Sequence, residues 1–92
     1  MKKFKTIIDV RDEYEYEEGH VANSLNIPLG EIQAKLDEIK ALPQPIALCC
    51  KSGGRSGAAH QFLSQQDVDC FNAGGWEQAE QLIEAGEICW AD

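Results

Sequence analysis

The strongest constraint on this chain is the alternation of strand-like and helix-like segments joined by short connections. Residues 5–10 (KTIIDV) form a β-branched, apolar run that ends in charge, as a buried strand does. Asp12 is placed to cap a short helix over residues 13–18. The acids of that stretch suit the positive end of the helix dipole, and Gly19 can end it. Residues 24–27 read as a short strand closed by Pro28. Ile32, Leu36 and Ile39 fall at helical spacing and predict a helix over 30–41, stopped by Pro43 and Pro45. A strand follows at 46–49 (IALC), then a helix at 55–66 with Ala58, Ala59, Phe62 and Leu63 on its apolar side. A strand at 68–72 (VDCFN) and a helix at 76–85, ended by Gly86, complete the order. Such alternation predicts an α/β domain with a mostly parallel sheet. The 92 residues suffice for one domain, 1–92.

In sheets of this kind reactive groups collect at the carboxyl ends of the strands. Cys50 stands there, at the end of the central strand and just before a helix. The residues that follow it are Lys51, Ser52, Gly53, Gly54, Arg55 and Ser56. The glycines allow backbone conformations that other residues resist, so the loop can turn successive N–H groups inward as an anion nest. The next helix adds its own N-terminal N–H groups. A thiol inside that ring is expected to have a lowered pKa, because the thiolate is the form that accepts those hydrogen bonds. Cys49 belongs to the strand and should point to the opposite face. Cys70 reads as a core residue of its strand and Cys89 as incidental. Without CxxC pairs or a histidine cluster the cysteines do not describe a zinc site, and no metal or cofactor is implied.

Charge narrows the partners. The net charge of −8 argues against nucleic acid and anionic membrane. No apolar run approaches the length of a membrane span. Lys51 and Arg55 nevertheless sit in a stretch free of acids between Glu38 and Asp67, a local cationic spot. The N-terminal apolar stretch is too short for a secretory signal, so the chain reads as cytoplasmic, or as periplasmic where a leader has been removed. With no obvious apolar stripe, a monomer is expected.

CKSGGRS after an apolar strand resembles the active loop of the rhodanese (thiosulfate sulfurtransferase) domain. IIDVRDEYEYEEGHVANSLNIP resembles that family's first signature, and NAGGWE its last; together they cover roughly residues 6 to 80. The resemblance implies a three-layer α/β/α fold around a small, mostly parallel sheet. The chain begins almost at the D-V-R strand, so the fold is expected to be N-terminally shortened, with one strand fewer. ANSLN stands where the family more often has a Pro-Gly-Ala-type turn.

The resemblance also implies a mechanism. Cys50 attacks the outer sulfur of thiosulfate or another sulfane donor, sulfite leaves, and a cyanide or thiol acceptor, such as thioredoxin or glutathione, takes the sulfur from the persulfide. The backbone N–H groups from Lys51 to Arg55 would stabilise the persulfide charge. Lys51 and Arg55 would attract the donor, and Ser52 and Ser56 would donate hydrogen bonds to the loop or cap the helix. Asp9 and Arg11 are assigned structural roles by the same analogy, with Arg11 paired to Glu17 or Glu18. Trp76 either walls the pocket or packs. His20 is read as structural and His60 as solvated. The alternatives are a persulfide carrier working between partner proteins and, less favoured, a phosphatase or arsenate reductase. Phosphatases related to this fold are expected to have five residues between Cys and Arg; here Lys51 to Gly54 make four.

Overall fold

The period-two geometry of the central strand decides how the layers assemble. In the computed structural model, which describes residues 2–91, β4 (Ile46–Cys50) is buried along its whole length. Successive strand side chains point to opposite faces. Ile46, Leu48 and Cys50 therefore join one apolar cluster with Ile8, Val10, Ile32, Ile39, Ala59 and Leu63. Ala47 and Cys49 join a second, on the other face, with Phe4, Ile7, Val21, Ala73, Ala79 and Ile88. Each fully buried Ile or Leu contributes about 1.5–3 kcal/mol relative to exposure, so a one-residue slip of β4 would forfeit both clusters at once.

Four strands form the main sheet, in the order β3-β2-β4-β5, where β2 is Thr6–Asp9, β3 is Leu25–Asn26 and β5 is Cys70–Gly75. Every strand pairing among the described residues is parallel. The helices α2 (Leu36–Lys40) and α3 (Gly54–Gln65) cover the first cluster, and α4 (Trp76–Glu84) covers the second. The result is the three-layer α/β/α arrangement. The helix α1 (Glu13–Glu18) buries no residue and is held instead by a capping box: Asp12 receives the N3 amide, and the Asp12 N–H donates to Glu15 Oε1 at 3.2 Å.

Three features depart from the sequence reading. Residues 30–41 are not one helix: a 3₁₀ turn at Leu29–Glu31 precedes turns, and α2 is only Leu36–Lys40. Apolar spacing marks the side that faces the core, and Ile32 and Ile39 both reach it, but it does not choose between 3₁₀ and α winding. Next, β5 extends through Gly75 and carries a register shift: Leu48 pairs with Asn72 but Cys49 with Gly74, leaving Ala73 as the extra residue of a bulge. Finally, β1 (Lys2–Phe4) and β6 (Ile88–Trp90) form a separate parallel pair. Phe4 is fully buried there, its ring 4.6 Å from that of Trp90.

Candidate active site

The loop after β4 is shaped by two glycines from different segments. Gly53 adopts φ +97 as the residue capping α3, a left-handed conformation that L side chains rarely take. Gly75, the ladder partner of Cys50, lets the loop press against β5: a Cβ there would collide with the Lys51 carbonyl. This close approach folds the chain back over the thiol. Cys50 Sγ then accepts hydrogen bonds from the Gly53 N–H at 3.0 Å, the Ser56 N–H at 3.4 Å and the Ser56 hydroxyl at 3.3 Å. Burial by itself raises the Cys50 pKa. The Ser56 hydroxyl and the backbone donors of Ser56, Ser52 and Gly53 outweigh it, and the net shift is downward. Cys50 has no exposed surface, while Lys51 and Ser52 above it are exposed.

The neighbouring thiols behave oppositely. Burial, with Asp9 nearby, pushes Cys49 up to about 12. Burial likewise raises Cys70, against a weaker contact with Ser64 Oγ at 3.7 Å. Of these three cysteines only Cys50 has its thiol pKa shifted downward.

The cations are largely committed. Arg55 makes a bidentate ion pair with Glu15, Nη1–Oε1 at 2.7 Å and Nη2–Oε2 at 3.1 Å. The Arg55 guanidinium, ahead of the opposing effect of desolvation, holds the Glu15 carboxyl down to about 2. Arg11 does not pair with Glu17 or Glu18, as the sequence suggested. Its Nε and Nη2 grip the fully buried Asp9 at 2.8–3.0 Å, and Nη2 also donates to the Gly19 carbonyl at 2.7 Å. Two residues apart at the end of β2, Asp9 and Arg11 are close enough to chelate one another, whereas Glu17 and Glu18 are exposed. The Arg11 guanidinium lies 5.0 Å over the Trp76 ring, and Trp76 packs against Gly19. Arg11, Gly19 and Trp76 thus form a braced wall. With Glu15, Glu18, Lys51 and Glu77 they line a cleft of about 240 Å³ beside the loop. Among the described residues, Lys51 is the cation lining this mouth that makes no ion pair.

His20 lies outside this arrangement. Its ring stacks on Tyr16 at 3.8 Å, and Nδ1–H donates to the Tyr16 carbonyl. Among the described residues no group of three or more His, Cys, Asp or Glu could hold a metal ion. Two contributors escaped the sequence reading. Glu15 looked like one more helix-surface acid, and only its capping-box spacing from Asp12 set it apart. Asn72 looked like an ordinary strand residue. It accepts from Ser56 Oγ at 2.7 Å and from the Gly74 N–H at 2.9 Å, and donates to the Gly53 carbonyl at 3.1 Å. An amide in an otherwise apolar strand, just before a glycine pair, was the available signal.

Comparison with known proteins places this geometry in context. A rhodanese-like domain model matches residues 1–82. Over 70 residues the chain is 40% identical to YqhL, an uncharacterized protein of Bacillus subtilis, covering 75% of this chain and 55% of that one. Over 72 residues it is 35% identical to the thiosulfate sulfurtransferase PspE of Escherichia coli, covering 74% and 67%. It is also 44% identical over 69 residues to an M-phase inducer phosphatase of Dictyostelium discoideum, which is 73% of this chain but 6% of that one. The chain therefore spans little more than half of YqhL and a small part of the phosphatase. The crystal structure of a rhodanese-related protein from Thermoplasma volcanium matches with a TM-score of 0.73 at 35% identity, covering 89% of this chain and 79% of that one.

Proposed function

The chain belongs to the rhodanese-like domain family, and on that premise we propose that it moves a sulfane sulfur from an anionic donor such as thiosulfate, through a persulfide on Cys50, to cyanide or a thiol. The observation that carries this reading is the convergence of three donors on Cys50 Sγ, the Gly53 and Ser56 N–H groups and the Ser56 hydroxyl, whose one proton has Asn72 Oδ1 as its other acceptor. These donors, with the Ser52 backbone, favour the charged form of the sulfur.

The steps balance without an outside oxidant or reductant. The Cys50 thiolate attacks the outer sulfur of thiosulfate. A new S–S bond forms, the donor S–S bond breaks, and sulfite leaves with its electron pair. The charge then sits on the outer sulfur of the persulfide, where backbone N–H groups of the 51–56 loop can face it. Cyanide or a thiolate attacks that sulfur, and the electrons return to Sγ. Cys50 is enclosed and Lys51 and Ser52 beside it are exposed, so a donor's route to the sulfur runs past these two residues. Lys51 supplies the positive charge at the mouth. Arg55 braces the loop through Glu15, so its part in attracting the donor is through the loop's position.

A persulfide relay between proteins is favoured by one feature: Glu15, Glu18 and Glu77 line the mouth and oppose a free dianion. Phosphoryl chemistry is disfavoured by the four-residue interval between Cys50 and Arg55 and by the engagement of that arginine with Glu15.

The test is intact mass after incubation with thiosulfate, for wild type and Cys50→Ser, followed by thiocyanate release on adding cyanide. One sulfur gained by the wild type alone and discharged by cyanide supports the proposal. No gain from thiosulfate, with a gain from a protein persulfide, selects the relay. A gain that survives in Cys50→Ser removes the chemistry from Cys50.

A further inference from the structure

Ser56 has one hydroxyl proton and two acceptors within reach: Asn72 Oδ1 at 2.7 Å and Cys50 Sγ at 3.3 Å. It can serve only one at a time. The Asn72 amide cannot flip to ease the competition. The Gly74 N–H can face only Oδ1, and the Gly53 carbonyl can face only Nδ2. An acceptor is therefore fixed against Ser56 whatever the state of the sulfur. We infer that Asn72 is a positioning residue for Cys50, one that holds the Ser56 proton while the sulfur is neutral and releases it to Sγ when the sulfur is charged.

The reasoning rests on Cys50 as the sulfur-bearing nucleophile. A thiol or disulfide-type sulfur is a weak acceptor, and the Asn72 carbonyl wins the proton. A thiolate is a charged acceptor, and charge-assisted hydrogen bonds are roughly twice as strong as neutral ones. During loading, Sγ passes its charge to the outer sulfur, and the Ser56 O–H returns to Asn72. During delivery the electrons come back to Sγ, and the O–H swings to meet them. Ser56 thereby supports the leaving group of the second step without equally stabilising the persulfide.

The charged and titratable groups bearing on Cys50 are Arg55 of α3, itself paired to Glu15 of α1, the Cys49 thiol of β4, and the adjacent Lys51. They are common to every variant compared below.

The test is a set of mutant cycles read by the pH dependence of Cys50 alkylation with iodoacetamide, followed on the Cys50 peptide. No sulfur donor is needed, so failure here leaves the transfer proposal standing, and failure of thiosulfate loading leaves this one standing. Ser56→Ala is introduced into the wild type, N72A and N72D. With Asn72→Ala the hydroxyl has only Sγ as acceptor, so Ser56→Ala should raise the Cys50 pKa by more than in the wild type. The difference should be roughly threefold to tenfold in alkylation rate below the pKa. With Asn72→Asp the competing acceptor is stronger, and the effect of Ser56→Ala should fall below the wild-type value. The general influence of the added charge cancels between the paired proteins. Either arm decides alone should the other variant be unstable. A Ser56→Ala effect of equal size in all backgrounds overturns the inference, because a merely structural Asn72 would shift stability without changing what Ser56 does to the sulfur.

Discussion

Substituting Gly75 by alanine should disable the nucleophile loop from the strand opposite. The backbone there has φ −69 and ψ 152, a conformation open to any residue, so the substitution carries no intrinsic strain. Its effect comes from one collision: the new Cβ meets the Lys51 carbonyl oxygen and stands 3.2 Å from the carbonyl carbon. Lys51 presents backbone at that point, which cannot rotate aside as a side chain could. Overpacking of this kind costs about 1–3 kcal/mol. At roughly 4–8 °C per kcal/mol for a domain of this size, Tm should fall by about 4–24 °C. The displaced loop should also pull the Gly53 N–H away from Sγ. One hydrogen bond to a charged acceptor is worth about 1.5–3 kcal/mol, so the Cys50 pKa should rise by about one to two units. Gly54→Ala is the matched control. It lies at the first residue of α3, and nothing stands within 4 Å of its added Cβ. It should be neutral or gain about 0.4–1 kcal/mol. Thermal melts and pH-dependent alkylation of both variants check this. A Gly75→Ala protein that melts and alkylates like the wild type would refute the claim that close approach of β5 sets the loop.

Asp9→Asn leaves the buried Arg11 without its counter-charge and should cost about 3–5 kcal/mol, seen in denaturant melts; near-wild-type stability would show the pair is dispensable. At neutral pH, limiting iodoacetamide should label Cys50 before Cys49 or Cys70, as read by peptide mass. The folded Cys50 pKa lies below its unfolded value, so its contribution to stability is full above the ordinary thiol range and is lost as pH falls through the folded pKa; Cys50→Ser should remove that component from a Tm–pH profile. The carboxyl of Glu15 is held down to about 2, so its ion pair stabilises fully above the usual carboxylate pKa and fades as pH drops towards 2. Glu15→Gln should flatten that acid limb of the Tm–pH profile.

What the sequence discloses here is local. The strand ending at Cys50, the glycine loop and α3 lie within one continuous stretch, and their spacing carries the nest directly. Cys49 and Cys50 go to opposite faces because strand alternation requires it. The parts that stayed hidden are those that depend on distant partners. Glu15 meets Arg55 only because α1 lies beside the start of α3, and its capping-box spacing from Asp12 says nothing of that partner. Asn72 reaches Gly53 and Ser56 because it stands opposite Leu48, on the side of the sheet that α3 covers, and the bulge that follows at Ala73 leaves no periodic trace. The pair β1–β6 joins three-residue strands from opposite ends of the chain, too short for alternation to register and too far apart for a turn to announce. The direction of Arg11 was misjudged for the reverse reason: its partner was two residues away, nearer than a helix search looks.

That terminal pair has a mechanical consequence. Lys2, Lys3 and Phe4 lie beside Ile88, Cys89 and Trp90 in parallel register. Tension applied between the start of β1 and the end of β6 runs along both strands in opposite senses. It loads their hydrogen bonds together, as a lap joint is loaded, and does not peel them one by one. The joint also holds Phe4 under Trp90, so sliding the strands uncovers a fully buried ring. A polypeptide drawn through a narrow pore from either end meets this clasp before it meets the sheet that carries Cys50.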